Sequence, residues 1–108
     1  MMRILAIDDN QDNLTALQAV VSDWLPEATV LTALDGAAGL DLARAKDPDV
    51  ILLDVVMPGM DGYAVCRQLK QDPALQAIPV LFLTANRPDR ASRVKALEAG
   101  AEGFLSKP

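Results

Sequence analysis

No histidine occurs anywhere in this chain, which excludes a His-based catalytic triad and any His-ligated metal site. Its one cysteine, Cys66, cannot form an internal disulfide, so a cytoplasmic setting is the simplest reading. With no His and one Cys, zinc has almost no ligands here. No stretch approaches the ~20 apolar residues of a membrane span. Met1–Ile7 is too short for a secretory signal, and acids follow it directly. Bases are in deficit: 10 Lys and Arg stand against 15 Asp and Glu, a net charge of −5. That balance argues against general attraction to nucleic acid or an anionic membrane. There is no Gly-rich turn after the first apolar run, so a dinucleotide-binding fold fails. Repeats, low-complexity tracts and linkers are absent too. The 108 residues, 51% of them hydrophobic, fit one domain with a real core.

What the chain does have is organised around Val50–Gly62. The run Val50-Ile-Leu-Leu suits a strand buried on both faces, and it leads straight into Asp54. A carboxylate there belongs at the strand's exit, where the sheet meets water. Pro58-Gly59 then makes a turn, and Asp61 can cap the next helix.

The same alternation runs through the rest. Arg3–Ile7 reads as a strand ending in Asp8 and Asp9. Asn10–Trp24 reads as a helix with Leu14, Leu17, Val21 and Trp24 on one face, closed by Pro26. Thr29–Ala33 is a second strand. A small-residue helix runs from Asp35-Gly36 to about Ala45. After the organising strand come a helix over Asp61–Gln71 and a strand over Pro79–Leu83 that ends at Thr84-Ala85. Pro88 suits the first position of a further helix, which presents Ala91, Val94 and Leu97 and stops at Gly100. Gly103–Ser106 is a last short strand before Lys107-Pro108.

Strands alternating with helices imply an α/β fold, a parallel sheet covered on both faces. Right-handed crossovers bring all the strand C-termini to one edge. Asp8, Asp9, Asp54, Thr84 and Lys107 then converge on one shallow pocket. Clustered carboxylates repel one another and call for a cation. Hard oxygen ligands favour Mg²⁺, which takes few protein ligands and shares phosphate oxygens. A metal, an ammonium, a hydroxyl and one exposed carboxylate compose a phosphoryl-transfer site, with the carboxylate as nucleophile.

Four motifs now stand in order, each at a strand end: Asp8-Asp9, Leu-Leu-Asp54 with Met57-Pro-Gly-Met-Asp-Gly62, Leu83-Thr84-Ala85, and Lys107-Pro108. Together they make the chain resemble the receiver domain of two-component response regulators over nearly its whole length. The resemblance implies a flavodoxin-like, doubly wound, five-stranded parallel sheet in the order 2-1-3-4-5. It implies that Asp54 is the phosphoacceptor for a phosphohistidine on a sensor histidine kinase or phosphotransfer protein. Asp9 would ligate Mg²⁺ directly, Asp8 through water, and the backbone carbonyl of Val56 would complete the protein's share. Lys107 would pair with Asp54 and then with the phosphoryl group. Thr84 would hydrogen-bond a phosphoryl oxygen, with Phe104 as the aromatic switch that follows it. The Lys107–Pro108 bond is expected to be cis. Val56 and Asn86, neither of them acidic, imply an adduct that hydrolyses without strong side-chain assistance.

The resemblance also leads us to expect a single receiver domain over 1–108, cut off after the fifth strand with the family's fifth helix missing. The face so uncovered would support a weak homodimer. Output would lie in a parent chain or a separate partner, with no nucleic acid or membrane bound by this domain. Such a domain is no enzyme beyond its own phosphorylation and dephosphorylation. Two other readings compete. A pseudo-receiver would bind partners without phosphorylation, which the intact acid–Thr–Lys set argues against. A haloacid-dehalogenase-type phosphohydrolase wants a second Asp two residues after the first, and Val56 stands there.

Plainer roles are read for the remaining residues. Asp8, Asp9 or Asn10 can cap the first helix. Trp24, Tyr63, Met57 and Met60 read as packing residues, Cys66 as a buried inert thiol, and Arg87, Arg90 and Arg93 as a solvated face.

Overall fold

A computed structural model of the chain describes residues 2–55, 57, 61–84 and 89–106, with the backbone alone at Ser106. Five strands, β1 (Arg3–Ile7), β2 (Thr29–Ala33), β3 (Val50–Asp54), β4 (Val80–Thr84) and β5 (Gly103–Ser106), alternate with four helices. These are α1 (Gln11–Trp24), α2 (Gly36–Lys46), α3 (Gly62–Gln71) and α4 (Arg90–Ala99). Every strand pair is parallel and the order is β2-β1-β3-β4-β5, the doubly wound arrangement expected.

Period-two alternation in the strands builds two cores, one on each face. Ile4, Ala6, Leu52 and Leu83 face α1 and meet Leu14, Leu17 and Val21. Leu5, Ile7, Ile51, Leu53, Val80 and Phe82 face the other way, toward α2, α3 and α4. Each of these four helices opens on an Asn or Asp N-cap. Asn10, Asp35, Asp61 and Asp89 each accept backbone N–H bonds from the first turn. At the far end of β4, Lys70 ties three segments together. Its ammonium donates to the carbonyls of Gln76 and Ile78 and to the Glu102 carboxylate, which also accepts the Val80 N–H.

Three expectations are corrected. Helix α4 begins at Arg90 behind the Asp89 cap, so its first position is not Pro88, which itself lies outside the described residues. Its inward face is Ala96 and Ala99, whereas Ala91, Val94 and Leu97 are exposed, Leu97 by 72%. The helix packs on its smallest residues and turns its larger apolar ones outward. Trp24 is not a packing residue either, being 81% exposed. Helix α1, with 14 residues, spans about 21 Å, while a strand of 5 residues spans about 17 Å. Its last turn therefore overhangs the sheet. Tyr63, Met57 and Cys66 are buried as read.

On the α1 face, a groove of about 590 Å³ runs beside the helix. Met2, Val20, Leu25 and Leu105 form its half-exposed rim, and Leu52, Leu81 and Leu83 lie along its floor.

Candidate functional site

Register places the acids. Ile7 pairs with Leu53 across β1 and β3, so Asp8 leaves its strand beside Asp54. Asp9 follows one residue on. Carboxylate oxygens of Asp8, Asp9 and Asp54 all lie within 4.8 Å of one another. Asp9 is exposed, but Asp8 is fully buried and Asp54 is only 4% exposed. The expectation of an exposed carboxylate at the sheet's edge is thus corrected: the Asp54 carboxylate sits in a recess. Burying two carboxylates side by side is costly unless other groups meet their charge.

The β1–α1 junction fixes Asp8 with a short ring of hydrogen bonds. The Asn10 N–H donates to Asp8 Oδ1 at 3.0 Å, and the Asn13 side-chain amide donates to Oδ2 at 3.2 Å. Asn10 Oδ1 in turn accepts the backbone N–H groups of Asp12 and Asn13. Of the three candidates for the helix cap, Asn10 takes the position, which leaves Asp8 and Asp9 to the cluster. Asn13 escaped the sequence reading. Its signal was a polar residue four before buried Leu17, on the side of α1 that turns toward the sheet.

Asp54 is held from below by α3. The Gly62 N–H donates to the Val55 carbonyl at 2.9 Å. A methyl group on Gly62 would lie 2.2 Å from the Asp54 carbonyl oxygen, so only glycine admits this approach. Asp61 caps α3 through the Ala64 N–H at 2.8 Å, as expected.

Thr84 ends β4 one residue beyond Leu83, the register partner of Asp54. Phe104 lies deeper, paired with Phe82 on the α3–α4 face. Its ring stands 5.8 Å from that of Phe82, which is 5.1 Å from Tyr63, and the Lys95 ammonium lies 5.0 Å over Tyr63. An aromatic path therefore runs from β5 to the first turn of α3, next to Asp54. Val56, the Pro58-Gly59 turn, Met60, Asn86, Arg87, Lys107 and the Lys107–Pro108 bond lie outside the described residues.

Cys66 stands apart from this edge, buried on α3 with its thiol against the Ala99 carbonyl. Burial pushes the thiol up to about 11. No helix among the described residues is long and apolar enough to cross a membrane.

Comparison with known proteins sets this arrangement in context. The chain matches the response regulator receiver domain over residues 4–108. It is 48% identical to the response regulator PleD of Caulobacter vibrioides over 106 residues, 98% of this chain and 23% of PleD. Thus it spans less than a quarter of that relative's length. Among solved structures, the chemotaxis protein CheY4 of Vibrio cholerae shares 30% identity at a TM-score of 0.91, over 100% of this chain and 88% of that one. The receiver domain of the sensor histidine kinase PA1611 from Pseudomonas aeruginosa PAO1 was solved with a magnesium ion coordinated in its active site cleft. It is 30% identical at a TM-score of 0.84, over 99% of this chain and 85% of that one.

Proposed function

This chain belongs to the response regulator receiver domain family of two-component signalling, and we propose that its own chemistry is phosphoryl acceptance on Asp54. An Asp54 carboxylate oxygen attacks the phosphorus of a phosphohistidine on a sensor histidine kinase or phosphotransfer protein. The P–N bond breaks, the imidazole leaves and takes up a proton, and an aspartyl phosphate forms. One observation carries this reading: three carboxylates from two adjacent strand ends meet within 4.8 Å.

The donor set fits Mg²⁺, being all oxygen and acidic. Asp8, Asp9 and Asp54 would hold the ion together with the Val56 carbonyl. When bound, it offsets the negative charge gathered around the transferring group. Asp54 supplies the nucleophile, its backbone pinned against α3. Thr84, at the neighbouring strand end, would donate its hydroxyl to a phosphoryl oxygen, and Lys107 would pair with the group's charge. Phe104 would respond as the switch, its ring already in contact with Phe82. Receiver output would pass to another domain of a parent chain or to a separate partner. The chemistry begins and ends on the protein itself, so we read no enzyme acting on other substrates. A cytoplasmic setting agrees with the free thiol.

Intact mass after incubation with Mg²⁺ and acetyl phosphate tests this. A single Mg²⁺-dependent phosphoryl adduct is expected on the wild type and none on Asp54→Asn. No adduct on a folded, Mg²⁺-binding wild type would overturn the proposal and favour a phosphorylation-independent scaffold.

A further inference from the structure

We infer that Asn13 is a positioning residue for the acidic site, acting on the metal through the carboxylate of Asp8. The inference rests on the reading of this edge as a Mg²⁺ site and extends it to a side chain on α1.

Asp8 is fully buried, and its two oxygens are addressed from two directions. The Asn10 N–H takes Oδ1 at 3.0 Å, and the Asn13 amide takes Oδ2 at 3.2 Å. Asn10 has a local reason to be where it is, since its own side chain caps α1 through the N–H groups of Asp12 and Asn13. The Asn13 side chain has no such duty in the helix. Its amide spans five residues of sequence to reach a buried carboxylate, from a half-buried position on the turn above it. With both oxygens engaged, two donors at one helix start help to set the plane of the Asp8 carboxylate. Each carboxylate oxygen has more than one lone pair, so Asp8 keeps capacity for a cation, or its bound water, on the side of Asp9 and Asp54. Removing the Asn13 donor takes away one of the contacts that hold Oδ2 in its place beside the cluster. Partners that orient metal-binding groups in this way typically contribute 10–100-fold, that is about one to two decades, in metal affinity.

A purely structural Asn13 predicts something different. Its amide would then only satisfy a buried oxygen, and its loss would lower the stability of the metal-free protein and leave metal affinity alone.

The test is calorimetric titration of the 108-residue chain with Mg²⁺, on the wild type, Asn13→Ala and Asn13→Gln, with melting curves in the absence of metal. Asn13→Ala is expected to weaken Mg²⁺ binding about 10-fold or more. Asn13→Gln, which keeps the amide donor, is expected to recover part of that loss. Raising Mg²⁺ to saturation should restore the rate of adduct formation from acetyl phosphate in Asn13→Ala. Equal Mg²⁺ affinity in Asn13→Ala and wild type overturns the inference and leaves the metal site standing. So does a lowered melting temperature with unchanged affinity. A wild type that takes up no Mg²⁺ overturns the site and the inference together. Should Asn13→Ala fail to fold, Asn13→Gln is compared with Asn13→Leu, which has no donor: an affinity in Asn13→Gln no higher than in Asn13→Leu refutes the inference.

Discussion

Gly62→Ala isolates the close approach of α3 to the Asp54 backbone. The added methyl would stand 2.2 Å from the Asp54 carbonyl oxygen, 2.9 Å from Val55 Cα and 3.1 Å from the Asp54 carbonyl carbon. All three atoms are backbone, so no side chain can rotate away and the start of α3 must shift by about 1 Å to reach ordinary van der Waals separation. Two effects oppose each other. Alanine is the better helix former and gains up to about 1 kcal/mol over glycine in a helix interior, less at the first position. Against it stand an overpacking term of about 1–3 kcal/mol and the hydrogen bond from the Gly62 N–H to Val55, worth about 1 kcal/mol. The loss wins, at about 2–3 kcal/mol net. At about 4–5 °C per kcal/mol for a domain of this size, the melting temperature should fall by about 10 °C. Because the displaced atoms belong to Asp54 and Val55, the yield of acetyl-phosphate adduct at low Mg²⁺ should fall as well. Gly39→Ala is the control. There the methyl would stand 2.4 Å from Ile7 Cδ1 and 2.8 Å from Ile7 Cγ1, so the clash is with a buried side chain and not with the Asp54 backbone. A Gly62→Ala protein that melts within about 2 °C of wild type would refute the reasoning, since that is less than the shift from about 1 kcal/mol.

Other consequences can be checked independently. Lys70→Met removes the donor shared by the Gln76 and Ile78 carbonyls and the Glu102 carboxylate, which approaches at 2.6 Å. Glu102 is 43% exposed, so solvent screens the pair and we expect a loss of about 1–2 kcal/mol in urea unfolding. Adding Glu102→Gln should cost less than additively, because both changes break one network. Cys66, with its thiol pushed from 9.0 up to about 11 by burial, should resist thiol reagents at pH 8 until the chain unfolds. The folded state holds that proton more tightly, so the thiol's contribution to stability is complete below pH 9.0 and is lost as pH rises through about 11. Alkaline melting of the wild type against Cys66→Ala reads this difference directly. The apolar groove along α1 should support weak self-association, seen as a light-scattering mass that rises with concentration and falls in Leu105→Lys.

The strands were legible because each is a short apolar run closed by a polar residue, and the parallel order followed from their alternation with helices. The helix faces were less so. In α4 the larger apolar residues, Val94 and Leu97, drew the stripe, yet Ala96 and Ala99 make the contact. Close packing against α3 selects small side chains, and a reading weighted by hydrophobic size misses that. Trp24 failed for a different reason. Its angular position around α1 agrees with that of Leu17, but the sheet ends before the helix does, and no periodicity records the length of a neighbouring element. At the site, sequence order placed Asp8, Asp9, Asp54 and Thr84 at strand ends without revealing depth. Burial of Asp8 and Asp54 comes from how α1 and α3 start, through the Asn10 cap and the close approach of Gly62.

That depth gives the acidic edge its energetic character. Two buried carboxylates and one exposed one, all within 4.8 Å, are held together by the fold against their mutual repulsion. Structural features hold the two buried acids in place: the hydrogen-bonded ring through Asn10 and Asn13 at Asp8, and the α3 start against the backbone at Asp54 and Val55. A domain whose whole stability is about 5–15 kcal/mol can hold such a cluster only if its supports are rigid. The same supports link the site to α3. Any cation or phosphoryl group that changes the charge at Asp54 changes the balance at one end of α3. Tyr63 carries that end into the aromatic contacts with Phe82 and Phe104 and into the Lys95 ammonium on α4. Charge at the acidic edge and packing on the α3–α4 face are thus two ends of one contiguous path. Replacing Tyr63 by leucine should leave Mg²⁺ affinity intact while weakening the response of Phe104 to it, and ¹⁹F NMR of a fluorinated Phe104 would read that response. An unchanged response in Tyr63→Leu would show that the signal leaves Asp54 by another route.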